Sequence, residues 1–234
     1  VLADKLEKVE ERIERAAARA GRKREDITLV AVTKKFEPNV IREAFLLGIR
    51  DFGENYVQEF QQKEDALSDL LEARFHFIGH LQGNKARNAA ELFDVIETLD
   101  SAKLAQRLNG LVAQGSGDMR LKDVMLEVKL SDEEAKAGVA PEDLPALIEA
   151  VRACSHLNLI GLMTMPPWSE KPEPSRPFFK QLAALAQEHG LTGLSMGMSH
   201  DLEVAIEEGA THIRVGTALF GARPKPKTAA LESA

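Results

Sequence analysis

Cysteine is almost absent from this sequence, and so are long apolar runs. One cysteine, Cys154, occurs among 234 residues, which excludes an intramolecular disulfide and a cysteine-based metal site. The residues around Cys154 are apolar, so a packed thiol is expected there rather than a nucleophile. No segment approaches the roughly 18 consecutive apolar residues of a membrane span, and the charged residues from Asp4 onward do not fit a signal peptide. We therefore expect a cytoplasmic protein that has no membrane partner.

Positive charge is also in deficit. The chain has 30 lysine and arginine residues against 37 aspartate and glutamate residues, a formal net charge of −7. No basic tail or block offsets this balance, so nucleic acid is not an expected partner. His76 lies in a predicted strand and His80 follows it, without further ligands at metal spacing, and no metal site is predicted.

Strands and helices alternate along the chain. A charged amphipathic helix is predicted for residues 2–20, in an N-terminal segment 1–21 that Gly21 ends. Eight strands are predicted, at residues 27–33, 48–53, 74–79, 93–99, 123–130, 158–165, 191–197 and 211–216. Helices are predicted between them, near residues 38–47, 55–70, 83–91, 101–114, 141–154, 175–189 and 199–208.

Eight strand–helix units with short connections predict an α/β fold, a (β/α)₈ TIM barrel with an extra N-terminal helix. An open doubly wound sheet is the alternative, but no Gly-x-Gly-x-x-Gly turn follows the first strand. We expect a single domain over residues 1–234, with a flexible tail at 224–234. The active site of such a barrel lies at the C-terminal ends of its strands.

The ends of strands seven and eight favour a phosphate site. Ser199 stands at a predicted helix start, and Gly216 and Thr217 follow the last strand. Unpaired N–H groups at helix starts attract anions, and both hydroxyls can donate hydrogen bonds. The alternative is that Ser199 only caps a helix and that Gly216 only eases the strand exit.

Arg214 is the second unusual residue, because alternation turns it away from the outer helices and into the barrel. A guanidinium keeps its proton and needs an acceptor or an anion when it is buried. It could form a salt bridge with Glu127 of strand five, or it could donate to a ligand's ring nitrogen or phosphate.

Strand one ends in Lys34 and Lys35, within the stretch DITLVAVTKKF. Alternation puts the two lysines on opposite faces without showing which face looks inward. A lysine, a phosphate site and an inward arginine together suit pyridoxal 5′-phosphate (PLP), which carries an aldehyde, a phosphate and a ring nitrogen. A phosphosugar that condenses with a lysine would use similar groups.

Six motifs in order resemble one known family, the pyridoxal phosphate homeostasis proteins. They are AVTK at 31–34, FGENYVQE at 52–59, FHFIGHLQGNK at 75–85, GLMTM at 161–165, LSMGMS at 194–199 and IRVGTALFGAR at 213–223. The resemblance covers nearly the whole chain. It implies a barrel like the N-terminal domain of alanine racemase, with PLP as the bound cofactor.

The resemblance also implies roles for individual residues. Lys34 matches the lysine that forms the Schiff base with PLP. The other residues implied to contact the cofactor are Asn55 and Met163 beside the ring, Arg214 at the ring nitrogen, Ser199, Gly216 and Thr217 at the phosphate, and Ser195 and Met198 close by. Lys136 matches a family lysine near the pocket mouth whose role is open.

The family resemblance favours a PLP carrier or buffer in vitamin B6 homeostasis over an enzyme. The alternative is a PLP-dependent amino-acid racemase or lyase. A two-base racemase needs a second proton acceptor, and the only tyrosine is Tyr56. A cation at the ring nitrogen also makes the cofactor a poorer electron sink. PLP-dependent apo-enzymes are the expected recipients, and a monomer is expected because the second domain of the racemases is missing.

Overall fold

The computed structural model describes residues 1–115, 121–133 and 137–222. Lys136 and the tail at 224–234 lie outside the described residues. The strands within this part form one closed barrel, in which each strand pairs with the next and the eighth pairs with the first. Every pairing is parallel. The predicted barrel is confirmed.

The strands begin and end within a few residues of the predicted limits. They are β1 (Thr28–Val32), β2 (Asp51–Glu54), β3 (Arg74–Phe77), β4 (Val95–Leu99), β5 (Lys122–Glu127), β6 (Leu157–Met163), β7 (Gly193–Met198) and β8 (His212–Val215).

Helices cover the outside of the barrel. They are α1 (Leu2–Arg19), α2 (Pro38–Leu46), α3 (Val57–Gln61), α4 (Ala86–Leu92), α5 (Ala102–Gln114), α6 (Leu144–Arg152), α7 (Arg176–Glu188), α8 (Leu202–Glu207) and α9 (Thr217–Phe220). The Ser101 hydroxyl accepts the backbone N–H of Leu104 and so caps α5, as its position predicts. Gly21 follows α1 with a φ of 66°, a conformation in which glycine is favoured.

Two helix predictions differ from the structure, and one helix of the structure has no predicted counterpart. The segment 55–70 holds only α3 and a short 3₁₀ turn at Asp65–Leu67, instead of one long helix. The helix expected from residue 199 begins at Leu202, because the Asp201 carboxylate accepts the Met198 N–H and forms a turn first. The short helix α9 follows β8 directly and was not expected.

Two kinds of packing hold the barrel. A large apolar cluster lies between strands and helices, and it includes Leu29 and Ala31 of β1. Val30 is equally buried but faces the barrel interior, where a Cβ added to Gly53 would lie 3.1 Å from its Cγ1. Alternation along β1 therefore separates an outer apolar face from an inner one.

Within the described residues, no helix is long and apolar enough to cross a membrane.

Candidate functional site

The predicted site residues follow strands that are neighbours in the barrel. Val32 of β1 is in register with Gly53 of β2, so Lys34 and Asn55, each two residues further on, follow at the same level. The other neighbour of β1 is β8, which leads into Gly216 and α9. The end of β8 touches β1, because a Cβ added to Gly216 would lie 3.4 Å from the Cβ of Val32.

Lys34 and Lys35 lie in the turn after β1, which ends at Val32. Lys34 is half-buried and Lys35 is exposed, the order that an inward Lys34 requires. Lys35 has a φ of 67°, which is uncommon for a residue that carries a Cβ and indicates a locally constrained turn. Its backbone N–H donates to Oε1 of Glu59 at 2.5 Å.

A buried ion cluster lies directly beneath this turn. The Lys63 ammonium donates to the Glu59 carboxylate at 2.5 Å, to the Glu54 carboxylate at 3.2 Å and to the carbonyl of Thr33 at 3.3 Å. The Thr33 hydroxyl donates to the same Glu54 oxygen at 2.8 Å. These bonds tie the turn that carries Lys34 to the end of β2 and to the segment after α3. The sequence did not predict this cluster, because a lysine and a glutamate nine residues apart give no periodic pattern that would indicate a contact.

Arg214 is buried in the barrel interior, as its position in the alternation predicts. Its guanidinium donates to the Ser195 hydroxyl at 2.7 Å and to the Thr164 carbonyl at 2.9 Å. The salt bridge considered with Glu127 is not formed. Burial lowers the pKa of Arg214, and the nearby carboxylates of Glu97 and Glu127 oppose that effect. Arg214 is thus held by two acceptors on β7 and after β6 and is charge-balanced from β4 and β5.

Below Arg214, three ionisable side chains fill the centre of the barrel. The Ser195 hydroxyl donates to one oxygen of Glu97, and the other oxygen lies 2.7 Å from Nδ1 of His76. Nε2 of His76 lies 2.9 Å from Asp51. Burial alone would lower the pKa of His76, but these carboxylates raise it to about 9, so both ring nitrogens carry protons and donate. Ser195, which the family resemblance implies lies near the cofactor, therefore joins Arg214 to the central cluster.

The segments after β7 and β8 are linked to each other through Ser199. Its hydroxyl accepts the backbone N–H of Ala218 at 3.2 Å, so it caps α9 rather than the helix that follows it in sequence. The backbone N–H groups of Ser199, His200, Gly216 and Thr217 have no acceptor within the residues that the structure describes. Free N–H groups on two adjacent segments are the pattern that binds an anion such as phosphate.

Asn55 and Met163 differ from these N–H groups, since Asn55 presents a buried side-chain oxygen and Met163 a buried apolar side chain. The side-chain oxygen of Asn55 is buried and has no hydrogen-bond partner among the described residues. A buried polar atom of this kind is expected to bind a ligand or water. Met163 ends β6, is fully buried, and pairs in register with Ser195. Gly79 packs against Asn55, since a Cβ there would lie 2.1 Å from the Asn55 carbonyl oxygen.

A cavity of about 820 Å³ opens at the same end of the barrel. Of the predicted contact residues it touches Met198 alone, and the loops after β5 and β6 line most of it, including Met165 and Trp168. The Glu127 carboxylate borders it and accepts no hydrogen bond from any described residue. Burial raises the pKa of Glu127 to about 7, Asp100 adds to the increase and Arg214 opposes it.

Among the described residues, no cluster of histidine, cysteine, aspartate or glutamate has the arrangement of a metal site. Cys154 is buried and donates to the carbonyl of Ala150, and burial raises the pKa of its thiol. A packed thiol is thus what the structure contains.

Comparisons with known proteins identify the family. The family model of the alanine racemase N-terminal domain matches residues 5–224. The pyridoxal phosphate homeostasis protein of Pseudomonas aeruginosa is 46% identical over 224 residues, which cover 95% of this chain and 96% of the relative. The protein of the same name from Aquifex aeolicus is 43% identical over 226 residues, with 94% and 97% covered. The chain belongs to the pyridoxal phosphate homeostasis family.

A solved structure of the family agrees with this fold. PipY of Synechococcus elongatus PCC7942 is 38% identical, and the match covers 94% of this chain and 100% of PipY. The TM-score is 0.83 to PipY without PLP and 0.79 to PipY with PLP bound. The family that the six sequence motifs indicated is therefore confirmed.

Proposed function

We propose that this protein binds PLP at the C-terminal end of the barrel and holds it as a Schiff base on Lys34. The Lys34 amine adds to the cofactor aldehyde, and one water leaves as the carbon–nitrogen double bond forms. The observation that carries the proposal is that the backbone N–H groups of Ser199, His200, Gly216 and Thr217 have no acceptor among the described residues. They lie at the same end of the barrel as the half-buried Lys34. The family to which the chain belongs is named for PLP. PipY, a relative in the same family, has been solved with PLP bound.

The residues of this chain fit each part of the cofactor. The free N–H groups and the hydroxyls of Ser199 and Thr217 suit a dianionic phosphate. The unpartnered Asn55 oxygen suits a ring hydroxyl, and Met163 supplies apolar contact. The Arg214 guanidinium supplies the partner for the ring nitrogen. Ser195 orients Arg214, and Met198 borders both the site and the larger cavity.

We propose further that the protein acts as a carrier or buffer of PLP with little or no turnover. PLP supplies an electron sink for amino-acid chemistry when its ring nitrogen is protonated. Arg214 opposes that protonation, because its charge is fixed in place by Ser195 and Thr164. The relatives that match are named for homeostasis of the cofactor rather than for a reaction. PLP-dependent apo-enzymes would be the recipients of the released cofactor, and a monomer would suffice to hold it.

The Schiff base can be tested on the two adjacent lysines. Borohydride reduction in the presence of PLP should add one phosphopyridoxyl group to the protein, which is the mass of PLP less one water plus two hydrogens, and peptide mapping should find it on Lys34. The Lys34→Ala variant should lose the visible imine absorbance and the reduced adduct. Lys35→Ala is the matched control, since it also removes one lysine and keeps a Cβ at the same positive φ. Adduct on Lys35, or none in the unsubstituted protein, would refute the proposal.

The carrier role needs a separate measurement. The PLP-loaded protein should activate a PLP-free acceptor enzyme slowly, and it should not interconvert or degrade amino acids faster than Lys34→Ala does. Turnover above that control would support the racemase or lyase alternative instead. Light scattering of the loaded protein should give the mass of one chain.

A further inference from the structure

The N-terminal helix α1 lies against the two short helices that follow β7 and β8. It packs on α8 and α9, and its buried face includes Val9 and Ile13. The segments that α1 supports carry the proposed phosphate contacts. A question follows from the geometry: does α1 only cover the barrel, or does it also orient the phosphate-binding backbone?

One side chain of α1 directly reaches the phosphate segment, by which we mean Ser199 and His200 after β7. The Arg12 guanidinium donates to the carbonyl oxygen of Ser199 at 2.9 Å. It also donates to both oxygens of Glu203 on α8, at 2.6 and 2.8 Å. Burial, the largest single effect, would raise the pKa of Glu203. The hydrogen bonds from Arg12 and from the backbone, together with the charges of Arg12 and Arg19, outweigh it and lower the pKa. Arg12 is thus fixed on α8 while it holds the Ser199 carbonyl.

The bond to the Ser199 carbonyl fixes a whole peptide plane. In a trans peptide, the carbonyl of one residue and the N–H of the next point in opposite directions. Holding the Ser199 carbonyl toward α1 therefore turns the His200 N–H away from α1. This N–H is one of the four that have no acceptor among the described residues. The Ser199 hydroxyl is fixed as well, because it accepts the Ala218 N–H.

We infer that Arg12 is a positioning residue for the phosphate, which it never touches, and that α1 is part of the cofactor-binding machinery. The inference rests on the proposed function, since it concerns the phosphate of the same cofactor. It assigns to Arg12 a role in phosphate recognition that acts through the Ser199–His200 peptide. Arg19 offers a matched control, because it also joins α1 to α8, through Glu207, but bonds no residue of the phosphate segment.

The test compares PLP with pyridoxal, which has the aldehyde and the ring but lacks the phosphate. Equilibrium dissociation constants of both ligands would be measured for the unsubstituted protein, Arg12→Ala, Arg12→Lys and Arg19→Ala. In Arg12→Ala we expect affinity for PLP to fall about ten-fold, the loss of one oriented hydrogen bond to a charged group, with pyridoxal affinity unchanged. In Arg19→Ala we expect both affinities to stay the same.

Arg12→Lys separates geometry from charge. Lysine keeps the positive charge but cannot bind both Glu203 oxygens and the Ser199 carbonyl in one plane, so only part of the PLP affinity should return. Full affinity in this variant would mean that charge alone acts and would refute the inference. An equal loss for PLP and pyridoxal in Arg12→Ala, or an equal effect of Arg19→Ala, would also refute it.

The same data distinguish a failure of the proposed function. If the unsubstituted protein binds neither ligand, or binds pyridoxal as tightly as PLP, the phosphate site itself is wrong and the role of Arg12 is refuted with it. If the unsubstituted protein prefers PLP and Arg12→Ala keeps that preference in full, the proposed function stands and only the positioning role fails.

Discussion

The central cluster of the barrel should make stability depend on pH in a specific window. His76 is fully buried between Asp51 and Glu97, and its pKa rises from 6.5 to about 9 in the folded protein. Below pH 6.5 the imidazole is protonated in both the folded and the unfolded chain, so its full contribution is present. As the pH rises through about 9, the folded protein must release the proton and the contribution is lost.

The size of this effect follows from the two pKa values. A rise from 6.5 to about 9 corresponds to about 3 kcal/mol of unfolding free energy, at 1.36 kcal/mol for each pH unit. Urea unfolding followed by far-ultraviolet circular dichroism would measure it at pH 6.5 and at pH 9.5. The difference between the unsubstituted protein and His76→Gln isolates His76, since the other groups titrate in both proteins.

We expect the unsubstituted protein to lose about 3 kcal/mol more than His76→Gln does over this interval. If His76→Gln does not fold, Glu97→Gln provides a second comparison, because it removes one of the two carboxylates that raise the pKa of His76. The pKa of His76 should then be lower, and the protein should lose less unfolding free energy between pH 6.5 and pH 9.5. An unsubstituted protein whose stability is flat from pH 6.5 to 9.5 would refute the assignment of a protonated His76. A variant that keeps the same slope would refute it too.

Two further predictions concern the backbone and the ion cluster beneath the site. Gly79→Ala should destabilise the protein by about 2 kcal/mol, because its Cβ would lie 2.1 Å from the Asn55 carbonyl oxygen. In Gly110→Ala the added Cβ meets no atom within 4 Å, and the helix α5 should be stabilised by about 0.5 kcal/mol. Thermal unfolding would measure both changes. Lys63→Met should cost about 3 kcal/mol at pH 7.5, because it leaves the Glu54 charge buried and unpaired. Adding Glu54→Gln should recover part of that loss, and no recovery in the double variant would contradict this explanation.

The alternation of strands and helices in the sequence was enough to predict the barrel. Most residues of the strands are buried, as expected of a parallel sheet covered by helices. Glycines end the intervening helices at points such as Gly48, Gly190 and Gly209, all with positive φ. The segment 55–70 is different because Lys63 has to reach inward to Glu54. That tertiary contact overrides the helical preference of the segment, and local sequence carries no sign of it.

From the sequence, the site could be predicted only where alternation within one strand determines the direction of a side chain. Arg214 faces inward because Ile213 and Val215 pack outward, and that much follows from period-two alternation. Its acceptors do not, because they lie across strands and depend on register. β7 pairs with β8 at Ser195–His212 and at Met198–Arg214, so the register shifts by one residue between these two pairs. Such a shift has no signature in a single sequence.

The distribution of unsatisfied polar atoms gives independent support for the location of the site. Six buried side-chain atoms of the described residues lack a hydrogen-bond partner, and all six belong to strand C-termini or to the loops that follow strands: Glu54 Oε2, Asn55 Oδ1, Ser131 Oγ, Ser175 Oγ, His200 Nε2 and Asp201 Oδ2. Two of the six, His200 Nε2 and Asp201 Oδ2, lie 3.4 Å from each other, whereas the ionisable groups in the barrel centre are hydrogen-bonded to one another. Folding alone would favour satisfying polar atoms equally at both ends. An excess confined to one end therefore supports the proposal that a polar ligand binds at this end.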